Sequence, residues 1–203
     1  MATALITAAG RSSRMGRSKA LLQYRGRTFL ETIVMTIRAA AIERIMVAIS
    51  MSDDKINDIL DLTYSLNVEV VYNVDDASAG PLGSIRAGIS EIVNYSVEYM
   101  AVWPVDQPHV ALETMQGLQA AFGDHRHAIV VPTFRGRRGH PVLFGREVFH
   151  ELLAAPPDQG ARSVVRRLPD RVLSVPVSDP AVLEDIDTPE DYQRLISSTR
   201  SLL

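Results

Sequence analysis

Short apolar runs typical of buried strands alternate with helical patterns along most of the 203 residues. The run at 5–9 ends in a turn at Gly10, and apolar residues from Phe29 to Ile37 then recur at helical spacing. Thr28 and Glu31 form a capping-box pattern that predicts where this helix begins. The same patterns predict strands at 44–50, 68–72, 100–105 and 172–177, and helices capped by Ser52, over 85–92 and 112–122, and from Thr188. Such a chain is expected to build βαβ units around a largely parallel sheet.

The segment from 129 to 144 interrupts this alternation. Two strand-like runs, 129–132 and 141–144, are joined there by an arginine-rich turn instead of a helix. We therefore predict an α/β fold whose mostly parallel, mixed sheet contains one antiparallel excursion. Because 46% of the residues are hydrophobic and no Pro/Gly/Ser-rich linker divides the chain, residues 1–203 are predicted to form a single domain.

The composition excludes several classes of protein. The chain has no cysteine, so it has neither a disulfide framework nor a thiolate metal site nor a cysteine nucleophile. Arginines follow the apolar N-terminus and do not precede it, and no apolar run approaches the roughly 20 residues that span a bilayer. We therefore expect a cytoplasmic protein without membrane contact. A net charge of −3 argues against a general nucleic-acid binder.

Positive charge is concentrated in the loop after the first predicted strand. Six of the residues between 11 and 27 are Arg or Lys, and the first acidic residue is Glu31. Small residues at Ala8, Ala9 and Gly10 leave backbone N–H groups accessible to an anion, and glycine can adopt the positive φ that an anion-binding nest needs. The spacing matches neither a P-loop nor a dinucleotide-binding motif. Phosphate binding is the favoured interpretation, and an ordinary polar turn is the alternative.

Carboxylates follow two other predicted elements. Asp106 comes directly after the apolar strand 100–105, and Asp185 and Asp187 precede the last helix on one face of an extended segment. Mg²⁺ is usually held by one or two carboxylates together with substrate phosphates, so Asp106 with either of the later aspartates could form such a site. Turn or cap aspartates are the alternative. Thr188 as N-cap and Pro189 after it already account for the start of the helix.

The turn between the two strands of the excursion carries three arginines, at 135, 137 and 138, before His140. A hairpin turn needs its glycines but has no need of three arginines. A second anion site for an acceptor substrate is one explanation, and a solvated turn is the other. No histidine belongs to a pattern typical of a zinc site.

The loop and the later motifs together resemble the MobA-like nucleotidyltransferase family, and most closely its molybdenum-cofactor cytidylyltransferase branch. That family opens with a strand and the motif LAAGxSxRMGxxKxLL, which stands here as ITAAGRSSRMGRSKALL at 6–22. The similarity continues through residues 83–88, 105–108, 136–142, 158–162 and 185–189. It therefore covers nearly the whole chain.

The resemblance implies a Rossmann-like, three-layer α/β/α fold of the nucleotide-diphospho-sugar transferase type. It implies that the N-terminal part binds CTP, that about 130–185 binds the acceptor, and that Asp106 and Asp187 hold Mg²⁺. Arg14, Lys19 and Asp106 are then expected to act in catalysis. The expected nucleotide-binding residues are Ala8, Ala9, Gly10, Arg11, Ser12, Lys19, Gly83 and Ser84, and the expected acceptor-binding residues are Arg138, His140 and Arg162.

The reaction implied by the resemblance is transfer of CMP from CTP to molybdenum-loaded molybdopterin, with release of pyrophosphate. A recipient molybdoenzyme or its chaperone could take the product. Gly80-Pro81-Leu82-Gly83 also resembles a motif of the guanylyl-transferring members, so GTP is an alternative, as is another phosphorylated acceptor. A non-catalytic carrier of the cofactor is the alternative from a different class.

Overall fold

The structure is a computed structural model that describes residues 1–10, 15, 17–73, 80–123 and 128–200. In chain order its elements are β1 (Ala2–Thr7), β2 (Gln23–Tyr24), β3 (Arg27–Thr28), α1 (Phe29–Ala39), β4 (Arg44–Ile49), α2 (Ile56–Ser65), β5 (Glu69–Tyr72), α3 (Pro81–Ile92), β6 (Tyr99–Pro104), α4 (Leu112–Phe122), β7 (Ile129–Phe134), β8 (Arg137–Arg138), β9 (Val142–Gly145), α5 (Phe149–Ala154), α6 (Gly160–Arg167), β10 (Val172–Pro176) and α7 (Pro189–Arg200).

The main sheet has the strand order β10-β7-β9-β6-β1-β4-β5, and β8 pairs with β7. β1 runs parallel to both of its neighbours, with Thr7 opposite Ala48 of β4 and Pro104 of β6. β9 runs antiparallel to both β6 and β7. The predicted mixed sheet is therefore confirmed, and its antiparallel excursion is the predicted strand pair.

Helices cover both faces of this sheet. Side chains of β1 alternate between the faces, because successive residues of a strand point to opposite sides. Ala4 and Ile6 belong to one buried cluster, which includes residues of α1 and α4, and Leu5 belongs to a second cluster, which includes residues of α3 and α5. This is the three-layer arrangement expected from the resemblance. No helix in the described ranges has both the length and the apolar character that crossing a membrane requires.

Local signals predicted some helix starts correctly and missed others. The capping box of α1 is confirmed: Glu31 N–H donates to Thr28 Oγ1 at 3.1 Å, and Thr28 N–H donates to Glu31 Oε2 at 2.6 Å. The cap at Ser52 is wrong, because its hydroxyl pairs with Ser50 Oγ at 2.8 Å and α2 begins only at Ile56. The short elements β2, β3, β8, α5 and α6 have no counterpart among the predicted elements.

The carboxyl ends of β1, β4 and β6 lie side by side, and backbone hydrogen bonds continue beyond the strands. Ala8 N–H donates to Ala48 O at 2.8 Å, and Val105 N–H donates to Thr7 O at 3.2 Å. Asn73 N–H, after β5, donates to Ile49 O at 3.0 Å. The segments that follow these strands therefore start from one edge of the sheet, where ligands of open α/β sheets bind.

Candidate active site

One ammonium group joins two carboxylates at this edge. Lys19 opens a short 3₁₀ turn after the first loop, and its Nζ lies 2.9 Å from Asp106 Oδ2 and 2.5 Å from Asp187 Oδ1. The three residues come from the loop after β1, the turn after β6 and the segment before α7. The sheet topology thus brings Lys19 together with Asp106, which lies 87 positions later in the sequence, and with Asp187, which lies 168 positions later.

Burial and charge act in opposite directions on this group. Burial alone lowers the pKa of Lys19, but the Asp106 and Asp187 carboxylates outweigh it, so the pKa is raised and the amine is protonated. Burial raises the pKa of Asp106, and the nearby Lys19 charge offsets this effect only in part. Asp185 and Asp187 raise it further. Two carboxylates, those of Asp106 and Asp187, thus flank the Lys19 ammonium, and Asp185 is near enough to affect the pKa of Asp106.

Asp187 is held in place by the start of α7. Ile186 N–H donates to Asp106 O at 3.0 Å, which ties the segment to the turn after β6. Asp191 Oδ2 accepts from Thr188 N at 2.8 Å and from Asp187 N at 3.2 Å, while Asp191 N–H donates to Thr188 Oγ1 at 3.2 Å. The Thr188 hydroxyl also donates to Asp191 Oδ2 at 2.8 Å and is the largest cause of the lowered pKa of Asp191, to which the two backbone N–H donors add. The predicted cap at Thr188 is therefore also what fixes Asp187.

The described part of the first loop borders a cavity of about 800 Å³. Ala8 and Ala9 are buried, whereas Gly10 is exposed and lines the cavity with Ala9. Gly10 does not have a positive φ, and no atom of the described residues lies near the position that a Cβ would take. Within that part of the chain, neither backbone conformation nor a close contact thus requires glycine at this position. Arg11, Ser12 and Arg14 lie outside the described residues.

Gly83 and Ser84 lie in the first turn of α3, against the residue that follows β5. Asn73 is buried, and its Nδ2 lies 3.2 Å from Ser84 Oγ and 3.5 Å from Gly80 O. A Cβ at Gly83 would overlap the Asn73 side chain, so glycine is required there by close approach. Ser84 is only 2% exposed, and its hydroxyl accepts from Asn73. The sequence did not single out Asn73; its only signal is a polar residue at a strand end.

The predicted acceptor residues do not form one cluster. His140 is half-buried; burial lowers its pKa, and Asp185 and Asp106 oppose that shift, so the ring lies near these carboxylates. Arg138 is exposed on β8, and its Nε donates to Ser174 Oγ at 3.3 Å. Arg162 is exposed on α6. Within the described ranges its side chain makes no hydrogen bond or ion pair.

The buried Gln107, next to Asp106, lies within the motif at 105–108 but is not among the expected site residues. Its Nε2 donates to Asp185 Oδ1 at 2.7 Å and to Val182 O at 3.3 Å. Of the two aspartates considered for the metal, Asp185 thus bonds to an amide, whereas Asp187 bonds to Lys19. No set of three or more His, Asp or Glu side chains in the described part of the chain is arranged to hold a metal ion.

Comparison with known proteins identifies relatives over nearly the whole length. The chain is 24% identical over 188 residues to the molybdenum cofactor cytidylyltransferase of Escherichia coli, covering 93% of this chain and 92% of that one. It is 28% identical over 204 residues to the nicotine blue oxidoreductase of Paenarthrobacter nicotinovorans, covering 96% of each. A probable molybdenum cofactor guanylyltransferase of Bacillus cereus is 32% identical over 140 residues, 68% of this chain and 64% of that one.

Solved structures have the same fold. The crystal structure of Rv0371c from Mycobacterium tuberculosis superimposes with a TM-score of 0.77 at 29% identity, covering 96% of this chain and 97% of that one. Its manganese complex gives a TM-score of 0.74 at 25% identity, covering 97% and 98%. The MobA-like NTP transferase domain matches residues 4–172 of the sequence. The chain therefore belongs to the MobA-like NTP transferase family.

Proposed function

We propose that this chain is a cytoplasmic enzyme that transfers CMP from CTP to molybdenum-loaded molybdopterin and releases pyrophosphate. The observation that carries the proposal is the Lys19 ammonium between Asp106 and Asp187, at the sheet edge where the first loop begins. Transfer at a phosphate group needs positive charge close to the phosphate oxygens, and the lysine can supply it. The two carboxylates can hold a divalent cation that neutralises further charge on these oxygens. The 24% identity to a cytidylyltransferase supports CTP as the donor.

The residues present fit a divalent cation at Asp106 and Asp187. Asp106 Oδ1 is buried and has no hydrogen-bond partner in the described part of the chain, so one carboxylate oxygen remains to be satisfied. A site with two carboxylates suits Mg²⁺, which takes its other ligands from water and substrate phosphates. When bound, Mg²⁺ would neutralise charge on the phosphate oxygens. A relative solved with manganese supports a divalent ion of this kind.

The chemical step proposed is in-line attack by a phosphate oxygen of the acceptor on the α-phosphorus of CTP. The new P–O bond forms as the bond to the β-phosphate breaks, and pyrophosphate leaves with that electron pair. The acceptor phosphate is already ionised near neutral pH, so no general base is required. We assign Lys19 to the α-phosphate, to which it would turn from the carboxylates, and Arg11 and Arg14 to the rest of the triphosphate.

The remaining residues are proposed to position the two substrates. Backbone groups of Ala8, Ala9, Gly10 and Ser12 bind the nucleotide, and so do Gly83 and Ser84 at the start of α3. His140, Arg138 and Arg162 serve the acceptor. Because burial lowers the pKa of His140, its ring is neutral at neutral pH and can accept or donate a hydrogen bond without adding charge. A recipient molybdoenzyme or its chaperone would take the product.

Two other functions are each favoured by an observation. GTP would be the nucleotide donor in place of CTP if the segment Gly80-Pro81-Leu82-Gly83 serves as the similar motif does in guanylyl-transferring relatives. The relative named a probable guanylyltransferase is 32% identical to this chain. An oxidation or reduction replaces nucleotide transfer if the chain resembles the relative named nicotine blue oxidoreductase, which aligns over 96% of its length. If the chain were a non-catalytic carrier, the arrangement of Lys19, Asp106 and Asp187 would have no chemical step to serve.

One assay separates these functions. The protein is incubated with each of the four NTPs in turn, with Mg²⁺ or Mn²⁺ and molybdenum-loaded molybdopterin, and pyrophosphate release is measured. Release with CTP alone is the expected result, and release with GTP alone would identify a guanylyltransferase. No release with any NTP would contradict nucleotide transfer to this acceptor and would direct attention to redox or carrier activity.

A further inference from the structure

The side chain of Gln107 bridges the turn that bears Asp106 and the segment that leads to Asp187. Both of its amide hydrogens are used, one on Asp185 Oδ1 at 2.7 Å and one on Val182 O at 3.3 Å. The residue is 1% exposed, and its backbone carbonyl accepts from the fully buried Trp103 indole at 3.0 Å. The backbone of Gln107 is thus held by one hydrogen bond. Its side-chain amide is bonded to two residues that lie 75 and 78 positions later in the sequence.

The Val182 carbonyl is shared by a second element of the site. His140 N–H donates to the same oxygen at 3.0 Å, and Gly139 packs so closely that a Cβ there would overlap it. The turn after β6, the segment before α7 and the strand pair that carries His140 therefore meet at one carbonyl. A shift of the 182–187 segment would change the position of Asp187 relative to both Asp106 and His140.

The orientation of the Gln107 amide follows from its partners. Rotating the amide would place Oε1 against the Asp185 carboxylate and the Val182 carbonyl, which are both acceptors, so the amide hydrogens must face them. Oε1 is then buried without a hydrogen-bond partner within the described residues.

We infer that Gln107 is a positioning residue, which holds the 182–187 segment against the Asp106 turn and so sets how Asp187 faces Asp106. The inference rests on the proposed function, because that function makes these two carboxylates a cation site. Residues that orient metal-binding carboxylates without touching the ion typically change metal affinity 10- to 100-fold when they are replaced. Gln107 is expected to act in this way while contacting neither substrate nor metal.

The chain contains a matched control in Gln119. Its Nε2 also donates twice, to Ala40 O at 3.0 Å and to Tyr99 Oη at 2.9 Å, and Tyr99 begins the strand that ends next to Gln107. Gln107→Met and Gln119→Met each remove two donors and keep a side chain of similar length. Both should lower thermal stability, but only Gln107→Met should alter the cation site.

The test measures manganese(II) binding by electron paramagnetic resonance, with and without CTP, well below the unfolding temperature of each variant. Gln107→Met is expected to bind Mn²⁺ about tenfold more weakly than the wild type, and Gln119→Met to bind it equally well. Amide hydrogen exchange at Ile186, whose N–H donates to Asp106 O, should accelerate in Gln107→Met alone. If Gln107→Met does not fold, Asp185→Ala breaks the same bond from an exposed side chain.

Asp185→Asn keeps an oxygen that can accept from Gln107, so it is expected to bind Mn²⁺ as the wild type does. Loss of binding in Asp185→Asn without loss in Gln107→Met would make Asp185 a ligand and overturn the positioning role. Equal binding and equal exchange in wild type and Gln107→Met would also overturn it. If the variants follow the expected pattern but no NTP yields pyrophosphate, the proposed function fails and the role of Gln107 stands.

Discussion

The two ends of β6 are each held by a buried or half-buried glutamine, but only one of the two glutamines bonds a charged group. At the amino end, Gln119 bonds a backbone carbonyl and a phenol, and the ring of Tyr99 packs against Phe122 at 4.8 Å between centroids. At the carboxyl end, Gln107 bonds a carboxylate beside the group of Lys19, Asp106 and Asp187. The same side chain therefore supports packing at one end and a charged cluster at the other.

The difference shows where a parallel sheet can place costly groups. Charges removed from water destabilise a fold unless they are paired. A charged cluster is therefore expected where its role in ligand binding offsets this loss of stability. In this chain that location is the carboxyl edge, where loops after three parallel strands meet. Changes at this edge should therefore affect activity more than stability, whereas matched changes elsewhere should affect stability alone.

The largest expected effect comes from Asp106→Asn. This change keeps the shape of the side chain and removes the charge that faces Lys19, so nucleotidyl transfer should fall by about a thousandfold or more, several kcal/mol of barrier. Glu98→Gln, just before the amino end of β6, is the control and should retain full activity. Pyrophosphate release at saturating CTP measures both. An Asp106→Asn variant as fast as the wild type would remove Asp106 from the reaction.

Lys19→Met should have the next largest effect. The variant loses the ammonium assigned to the α-phosphate in the transition state, so kcat should fall about a hundredfold, with little change in KM for CTP. Lys19→Arg keeps the charge but not the compact geometry, and it should recover only part of the rate. A rise in KM at unchanged kcat would assign Lys19 to binding of the ground state instead.

Gly139→Ala should destabilise the fold through the carbonyl that Gln107 and His140 share. The added methyl would overlap Val182 O and force the 182–185 segment away, at a cost of about 1–3 kcal/mol in the free energy of unfolding. Gly117→Ala is the control, because Gly117 is exposed within α4 and has open space around it. Chemical denaturation should give that variant a gain of about 0.5–1 kcal/mol.

The sequence predicted those parts of the fold whose signals are local. The buried run of β1, the capping box at Thr28 and the N-cap at Thr188 depend on neighbours a few residues away, and the structure contains all of them. Ser52 carried a similar local signal and failed, because Ser50 pairs with its hydroxyl and α2 starts four residues later.

For the site, the sequence placed Asp106 directly after a predicted strand, and resemblance alone distinguished Asp187 from Asp185. The structure adds what depends on distant partners. The bond from Gln107 to Val182 joins residues 75 apart, and the close approach of Asn73 to Gly83 depends on how α3 packs after β5. Periodicity and spacing contain no information on such contacts. Resemblance could name residue types in a motif, but it could not show which distant residues each side chain contacts.

The smallest effect is expected from Asp191→Ala, and it tests whether the cap of α7 also serves the site. Loss of the bonds to Asp187 N and Thr188 N should cost about 1 kcal/mol in the free energy of unfolding, as for other helix caps. Because the pKa of Asp191 is lowered in the folded state, this stability is present above the ordinary aspartate pKa and is lost as the pH falls through the lowered value. Denaturation at pH 7 should therefore separate wild type and variant, and the difference should shrink at acidic pH.

Glu31→Ala breaks the equivalent box at α1, far in sequence from any aspartate of the cluster, and should cost a similar amount in the free energy of unfolding. Only Asp191→Ala should also weaken Mn²⁺ binding, because only Asp191 holds the backbone of Asp187; equal Mn²⁺ binding in the two variants would reduce the α7 cap to a stabilising feature.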